Sequence, residues 1–242
     1  MRRFVVPYNQ APQLPQGAPW GTSAPMSTDP DILPGALHLI GQYDSPFVRR
    51  AGIALTHAGI GFRHLPWSAF ADATRLRAVN PLTRVPTMVL ADGTTLVDSG
   101  AILDHIDRLS PIALRPTGGA QRDAALRCEG LATGLADKAV ALFYELRMHR
   151  EPSAAWVARC REQIAATALA LEAEAIARPE GFWFGGALSH ADIAVACTWR
   201  FVREAHPGLL AEQRLLTLVA HCAALERLPV FRAIAQPFIP PA

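Results

Sequence analysis

The chain has 242 residues, of which 50% are apolar and 18% charged, and its 23 Lys and Arg against 21 Asp and Glu leave a net charge of +2. This apolar content is enough for a sizeable core, and the composition excludes an intrinsically disordered chain. No basic cluster indicates nucleic acid as a partner, and no uncharged apolar run of about 18 residues predicts a membrane span. Polar residues and prolines interrupt any signal-like N-terminal segment, and the four cysteines form no C-x-x-C pair. We therefore expect a reduced, cytoplasmic protein.

Residues 1–34 form a proline-rich arm without hydrophobic periodicity, which we expect to lie outside the core. The sequence after this arm alternates short apolar runs with helical periodicity, which predicts a small mixed sheet with helices on its faces. Asp92-Gly93 separates two of these runs and is typical of a hairpin turn. The predicted strands cover residues 37–40, 62–65, 86–90 and 94–97, and the predicted helices cover residues 46–57, 69–79 and 99–109.

A linker rich in Pro and Gly at 110–120 separates this α/β part from a second part in which every segment has helical periodicity. The stretch after Ser189 is apolar on nearly all sides, which is typical of a central buried helix. The predicted helices cover residues 122–150, 156–175, 189–202, 210–228 and 230–235. A βαβαββα part followed by an all-α part predicts two domains, at 35–109 and 121–242.

The first candidate site residue is Ser45, which precedes Pro46 where the first predicted strand turns into the first helix. A side chain at this turn lies beside the free N–H groups of the helix, whose dipole stabilises an anion. The Ser45 hydroxyl can therefore donate a hydrogen bond to a thiolate or another anion. Serine before proline is also an ordinary N-cap, and the pattern leaves both interpretations open.

Two further motifs can bind a ligand. A cis Val85–Pro86 bond would turn the chain sharply and leave the Val85 N–H and C=O free to pair with an extended peptide, whereas a trans bond would only begin an edge strand. Asp98 and Ser99 begin the next helix, where Ser99 can hold a carboxylate and Asp98 can pair with an ammonium group. A simple helix cap is the alternative for this second motif.

The order of these motifs resembles the glutathione transferase family. The resemblance rests on the Asn-Pro-x-x-x-Val-Pro run at 80–86, on the Asp-Ser pair at 98–99, and on the Ser-Pro-Phe-Val-Arg run at 45–49, which is similar to bacterial members with serine or cysteine at this turn. It implies a thioredoxin-like α/β domain over 35–109 and an all-α helical bundle domain over 121–242. Ser189 and Asp192 match the capping box of the family's buried helix, where their role is in folding.

The resemblance also implies roles for individual residues. Ser45 would donate a hydrogen bond to the glutathione sulfur, and Val85 with cis Pro86 would pair with the cysteinyl backbone of the tripeptide. Asp98 and Ser99 would hold its γ-glutamyl end. Tyr43 is an alternative partner for the sulfur, because a phenol can make the same hydrogen bond. Less defined lining roles fall to Phe47, Trp67 and Arg84.

The implied function is that of a detoxifying transferase, which activates the thiol of glutathione for attack on a small hydrophobic electrophile. Glutathione is then a co-substrate, and we expect no other cofactor, no metal and a homodimer. A non-catalytic module that binds glutathione or another protein on the same fold is the alternative. No cysteine occurs between Met1 and Arg127, which disfavours disulfide exchange through a protein thiol, and the eight histidines lack metal-ligand spacing.

Overall fold

A computed structural model describes residues 29–178, 181–184 and 186–240. Most of the predicted arm, residues 1–34, therefore lies outside the described residues. Its last part is packed against the α/β part: Ile32 is buried, and both Asp29 and Asp31 form ion pairs with Arg75. The expectation that the whole arm lies apart from the core is wrong for these residues, because an apolar side chain and two carboxylates find partners there.

The α/β part contains one four-stranded mixed sheet in the order β2-β1-β3-β4. The first two strands are parallel, and β3 pairs antiparallel with both β1 and β4. This arrangement confirms the predicted βαβ unit followed by a hairpin. The strands are β1 at His38–Ile40, β2 at Arg63–Leu65, β3 at Thr87–Val89 and β4 at Thr95–Val97.

Helices cover both faces of this sheet because side chains alternate along each strand. Leu39 and Met88 face α1 (Pro46–His57) and α3 (Ser99–Leu109), whereas Ile40 and Val89 face the opposite layer. The opposite layer contains α2 at Ala73–Val79, which begins four residues later than the sequence predicts. The preceding residues form a turn instead, since the Ser68 N–H donates to the Asp72 carboxylate and the Asp72 N–H to the Ser68 carbonyl.

The second part of the chain is helical, as predicted. Helix α6 lies at its centre and is buried on almost every side, and its start has the predicted capping box between Ser189 and Asp192. No helix of the described residues combines the length and the apolar character that crossing a membrane requires. The helices are α4 at Gly119–Met148, α5 at Ala154–Ile176, α6 at His190–Ala205, α7 at Leu216–Glu226 and α8 at Pro229–Ala233.

The sequence predicts one helix over 210–228, but the structure contains a short 3₁₀ helix at Glu212–Arg214 and then α7. The buried Glu172 carboxylate explains where α7 begins, because it accepts the N–H groups of Thr217 (3.0 Å) and Leu218 (2.6 Å). A carboxylate from another helix thus supplies the cap that the local sequence lacks.

A chain of buried and half-buried charges joins the two parts. Arg50 of α1 donates to Glu129 of α4 at 3.0 Å, and Glu129 also accepts two hydrogen bonds from Arg115. Arg115 pairs in turn with Asp107 of α3, whose other oxygen lies 2.7 Å from Nε2 of His190 at the start of α6. Burial lowers the pKa of His190, and its Nδ1 has no partner among the described residues, so the neutral ring donates to Asp107.

Candidate functional site

A cavity of about 450 Å³ lies between the start of α1, the loop before β3, the start of α3 and one face of α4. Six of the residues that the sequence analysis selects line this one cavity, although they come from three separate motifs. These residues are Phe47, Arg84, Val85, Pro86, Asp98 and Ser99.

The loop before β3 has the conformation that a peptide-binding edge requires. The Val85–Pro86 bond is cis, and neither the N–H nor the C=O of Val85 has a hydrogen-bond partner within the described part of the chain. The buried Asn80 side chain holds this loop, since its Nδ2 donates to the Arg84 carbonyl (3.0 Å) and its Oδ1 accepts the Leu82 N–H (2.9 Å). The backbone of Val85 is therefore free to pair with an extended ligand.

Two residues beside the cavity have unusual backbone conformations. Asp98 has φ 75° and Thr83 has φ 51°, and no other non-glycine residue of the described ranges has a positive φ. Asp98 lines the cavity, and Thr83 lies between two residues that do. Such conformations cost about 1–3 kcal/mol each and concentrate at functional sites, so their position here favours a ligand site.

Asp98 and Ser99 begin α3 in the predicted manner. Asp98 is exposed, and its Oδ1 accepts the Gly100 N–H at 2.7 Å as the N-cap of the helix, whereas Ser99 is buried. The cap uses one carboxylate oxygen, and Asp98 is one of the residues that line the cavity. Asp98 can thus cap the helix and pair with an ammonium group at the same time.

Ser45 is the N-cap of α1, and its Oγ accepts the Val48 N–H at 3.4 Å. A hydroxyl that accepts in this way keeps its own proton available for donation to an anion. Ser45 is half-buried and does not itself line the cavity. Phe47, in the first turn of α1, does line it. Ser45 therefore lies two residues before a lining residue without being one itself.

Tyr43 lies two residues before Ser45 and is likewise absent from the lining. Its ring stacks on the imidazole of His64, with centroids 3.8 Å apart and planes inclined by 10°. Burial raises the pKa of Tyr43 to about 12, so the phenol keeps its proton at neutral pH. It can donate a hydrogen bond but does not supply a phenolate.

Trp67 does not reach the cavity, and its predicted lining role is corrected. Its side chain is 4% exposed and packs on the sheet beside Ile40, Leu65 and Val89. The Arg75 guanidinium covers the ring at 4.3 Å from its centroid. Burial of apolar surface explains this position, because the indole fills part of the smaller core layer between the sheet and α2.

No sequence motif pointed to individual residues of α4, which contributes one wall of the cavity. Gly130, Thr133, Gly134 and Asp137 all line the cavity, and their spacing of three and four residues puts them on one face of the helix. A Cβ atom added at either glycine would meet no other atom within 4 Å. Two glycines at i and i+4 inside a long helix lower the stability of that helix. This pattern was the sequence signal that could have pointed to the cavity wall.

The cavity lining carries charges of both signs. In the part of the chain that the structure describes, Arg84 supplies the positive charge of the lining, and Asp98 and Asp137 supply the negative charges. Within the same described residues, no group of three or more His, Cys, Asp and Glu side chains is arranged to hold a metal ion. The arrangement suits a ligand that itself carries carboxylates and an ammonium group.

Two family models match the chain. Residues 39–116 match the glutathione S-transferase N-terminal domain, and residues 154–233 match the glutathione S-transferase C-terminal domain. The chain is also 27% identical over 195 residues to the uncharacterized GST-like protein YibF of Escherichia coli strain K12, which covers 78% of this chain and 95% of that protein.

Solved structures with the same fold are known with bound ligands. One is a glutathione S-transferase from Methylobacillus flagellatus KT with GSH bound, with a TM-score of 0.76 at 25% identity over 84% of this chain and all of that one. Another is a glutathione S-transferase from Methylobacterium radiotolerans JCM 2831 in complex with glutathione sulfonate, with a TM-score of 0.75 at 27% identity over 85% of this chain and 99% of that one.

Proposed function

Because the chain belongs to the glutathione S-transferase family, we propose that it binds glutathione in the cavity beside α4 and activates its thiol for attack on a small hydrophobic electrophile. The observation that carries the proposal is that six residues selected from three separate sequence motifs line one cavity. The bound ligands of the similar structures support the choice of glutathione.

The binding step uses the polar groups of the lining. Asp98 pairs with the ammonium group of the γ-glutamyl end, and the Ser99 hydroxyl binds the adjacent carboxylate at the start of α3. The free N–H and C=O of Val85 pair with the cysteinyl backbone beside the cis peptide bond. Arg84 is the cation of the lining and can pair with a further carboxylate.

The chemical step needs a thiolate, whereas an unperturbed thiol has a pKa of about 8.5 and is mostly protonated at neutral pH. Lowering that pKa by two units requires about 2.7 kcal/mol of preference for the thiolate. A hydrogen bond to a charged group contributes about 1.5–3 kcal/mol and a helix N-terminus about 0.3–1 kcal/mol. Ser45 and the start of α1 can supply this sum without a general base.

The released thiol proton goes to solvent, and the sulfur electron pair then forms a carbon–sulfur bond to the electrophile. The leaving group departs with its bonding pair, or, in an addition, the product carbanion takes up a proton. We also propose a homodimeric assembly, from membership of the family. Light scattering of the purified protein tests it, and a monomeric mass would contradict it.

The experiment that tests the proposed function compares Ser45→Ala with Tyr43→Phe, two variants that each remove one hydroxyl. We expect Ser45→Ala to lower kcat about 10- to 100-fold and to raise the pKa of the bound thiol by one to two units. Ultraviolet absorbance of the thiolate against pH measures that pKa, and calorimetry measures the glutathione Kd, which should change less than about two-fold because Asp98 and Ser99 remain.

Tyr43→Phe is the matched control and should leave the pKa of the bound thiol unchanged. The reverse result, with a large effect of Tyr43→Phe and none of Ser45→Ala, would assign the sulfur contact to the phenol instead.

One observation favours the non-catalytic alternative: Ser45 is not part of the cavity lining. A binding or interaction module would need only the Val85, Asp98 and Ser99 contacts. This alternative would hold if the protein binds glutathione tightly, leaves the pKa of the bound thiol at its ordinary value and turns over no electrophile of a panel.

A further inference from the structure

Ser45 is the last residue of a four-residue turn that joins β1 to α1. The turn covers residues 42–45, and the Ser45 N–H donates to the Gln42 carbonyl at 3.2 Å. Because Ser45 is both the end of this turn and the N-cap of α1, the direction of its hydroxyl depends on how firmly the turn is held.

Both central residues of the turn are hydrogen-bonded to residues almost two hundred positions later in the chain. The Tyr43 N–H donates to Oε1 of Gln236 at 3.1 Å, and the Ile239 N–H donates to Oδ2 of Asp44 at 3.0 Å. We call residues 236–240 the clasp segment. It contacts the turn from the side of the helical part.

The clasp segment is itself attached to the helical part. Arg200 donates to the Gln236 carbonyl at 3.2 Å, and the Phe238 N–H donates to Glu204 at 2.9 Å. The ring of Phe238 packs edge-on against Phe143 of α4 and against Phe201 of α6, at centroid distances of 5.1 and 5.6 Å. The segment therefore connects α4 and α6 to the turn at 42–45.

We propose that the clasp segment is a positioning element for the candidate active site, and that Gln236 holds the 42–45 turn so that the Ser45 hydroxyl faces the glutathione sulfur. The proposal rests on the proposed function of Ser45. Gln236 does not line the cavity and acts through the Tyr43 backbone. Loss of its acceptor oxygen should let the turn open and should weaken the stabilisation of the thiolate.

Gln236 is a better probe than Asp44, because Gln236 is uncharged. Removal of the Asp44 carboxylate would itself favour a nearby thiolate, and this effect opposes that of a loosened turn. Gln236→Met has nearly the same length as the native side chain and lacks the amide oxygen. Gln236→Glu retains an acceptor oxygen, and because its charge would act on the thiolate directly, it is used in the exchange measurement alone. Gln213→Met, in the exposed 3₁₀ helix, is the matched control.

The first measurement is amide hydrogen exchange at Tyr43, followed by NMR on the full chain. Gln236→Met should exchange this amide about five-fold faster than wild type, because one hydrogen bond of ordinary strength is lost. Gln236→Glu should restore slow exchange. Amides inside α3 and those of the Gln213→Met control should exchange at the wild-type rate.

The second measurement is the effect on the bound thiol. Gln236→Met should lower kcat about three- to ten-fold and raise the pKa of bound glutathione by about half a unit, with a KM for glutathione within two-fold of wild type. A merely structural role would lower the stability of the variant and leave both kcat and this pKa unchanged.

Unchanged Tyr43 exchange in Gln236→Met would overturn the proposal whatever the activity is. Faster exchange with wild-type kcat and wild-type thiol pKa would also overturn it, since the turn would then move without consequence for the sulfur. A wild-type protein that binds glutathione without ionising its thiol contradicts the proposed function instead, and the Tyr43 exchange still decides whether the clasp segment holds the turn.

Discussion

Arg49 forms a bidentate ion pair with Glu226 that joins the α/β part to the helical part. Nη1 and Nη2 donate to the two carboxylate oxygens at 2.5 and 2.8 Å, and the same guanidinium donates to the carbonyls of Ile234 and Phe231. Arg49 is 2% exposed. Since Arg49 is in the first turns of α1, this pair anchors on the helical part the same helix that Ser45 caps.

Arg49→Met should lower the free energy of unfolding by about 3 kcal/mol, because it removes a buried donor set and leaves two carbonyls and a carboxylate without it. Arg200 lies 3.6 Å from the same carboxylate and keeps the loss from being larger. Urea denaturation measures the effect. Arg203→Met is the control, since its pair with Glu212 is exposed on both sides, and it should cost less than about 1 kcal/mol. Equal losses in the two variants would contradict the anchoring role.

The stability of the fold should decrease as the pH falls below about 6.5, owing to His190. Burial lowers its folded-state pKa from the ordinary 6.5. Below that pH the unfolded chain therefore binds a proton at this histidine that the folded chain does not bind. The contribution is fully present above that ordinary value and is lost as the pH falls toward the lowered folded-state pKa, at up to about 1.4 kcal/mol per pH unit. Urea denaturation from pH 7.5 to pH 5 measures it.

His190→Gln is the matched variant for this pH dependence, because its amide can still donate to Asp107 but does not titrate. Its stability should change less between pH 7.5 and pH 5 than that of wild type. The same slope in both proteins would exclude His190 as the source. The carboxylates of the network act at lower pH: despite their burial, hydrogen bonds and the charges of their partners lower the pKa values of Asp107 and Glu129, so their contribution is lost only in more acidic solution.

Asp98→Asn should weaken glutathione binding about five- to ten-fold while the fold is retained. Asparagine tolerates the positive φ of this position and keeps the oxygen that accepts the Gly100 N–H, so the substitution removes only the charge. Calorimetry measures the Kd.

A glutathione analogue without the γ-glutamyl amino group provides the control for Asp98→Asn. Wild type and variant should bind this analogue with the same Kd, because neither can form the ammonium pair. A wild-type preference that persists with the analogue would show that Asp98 acts in another way.

Two substitutions at Gly134 of α4 should have different effects, one on the stability of the fold and one on substrate binding. Gly134→Ala should raise the free energy of unfolding by about 0.5–1 kcal/mol, because the added Cβ meets no atom within 4 Å and the unfolded chain loses freedom. Gly134→Leu should raise the KM for bulky electrophiles about ten-fold, because its side chain fills part of the cavity. Thermal unfolding and steady-state kinetics measure the two effects, and unchanged KM values in Gly134→Leu would contradict an open wall at this face of α4.

Signals within a few residues of one another account for the features that the sequence predicts well. Asp92-Gly93 marks the hairpin, and Ser189 with Asp192 marks the start of α6, because these turns and caps are made by adjacent side chains. The runs at 80–86 and 98–99 indicate segments that line the cavity for the same reason. Trp67 shows the limit of such reasoning: an indole near the site has the same sequence signature whether it lines the cavity or packs behind the sheet.

The sequence by itself determined the order of the elements and the division into an α/β part and a helical part, since periodicity and turn residues are local properties of a chain. The tertiary structure alone decided which face of α4 closes the cavity, how Arg49 reaches Glu226, and that Gln236 meets the turn before Ser45. Partners in these contacts lie about 30 to almost 200 positions apart, and their side chains acquire a common location only when apolar burial brings the helices and the sheet together.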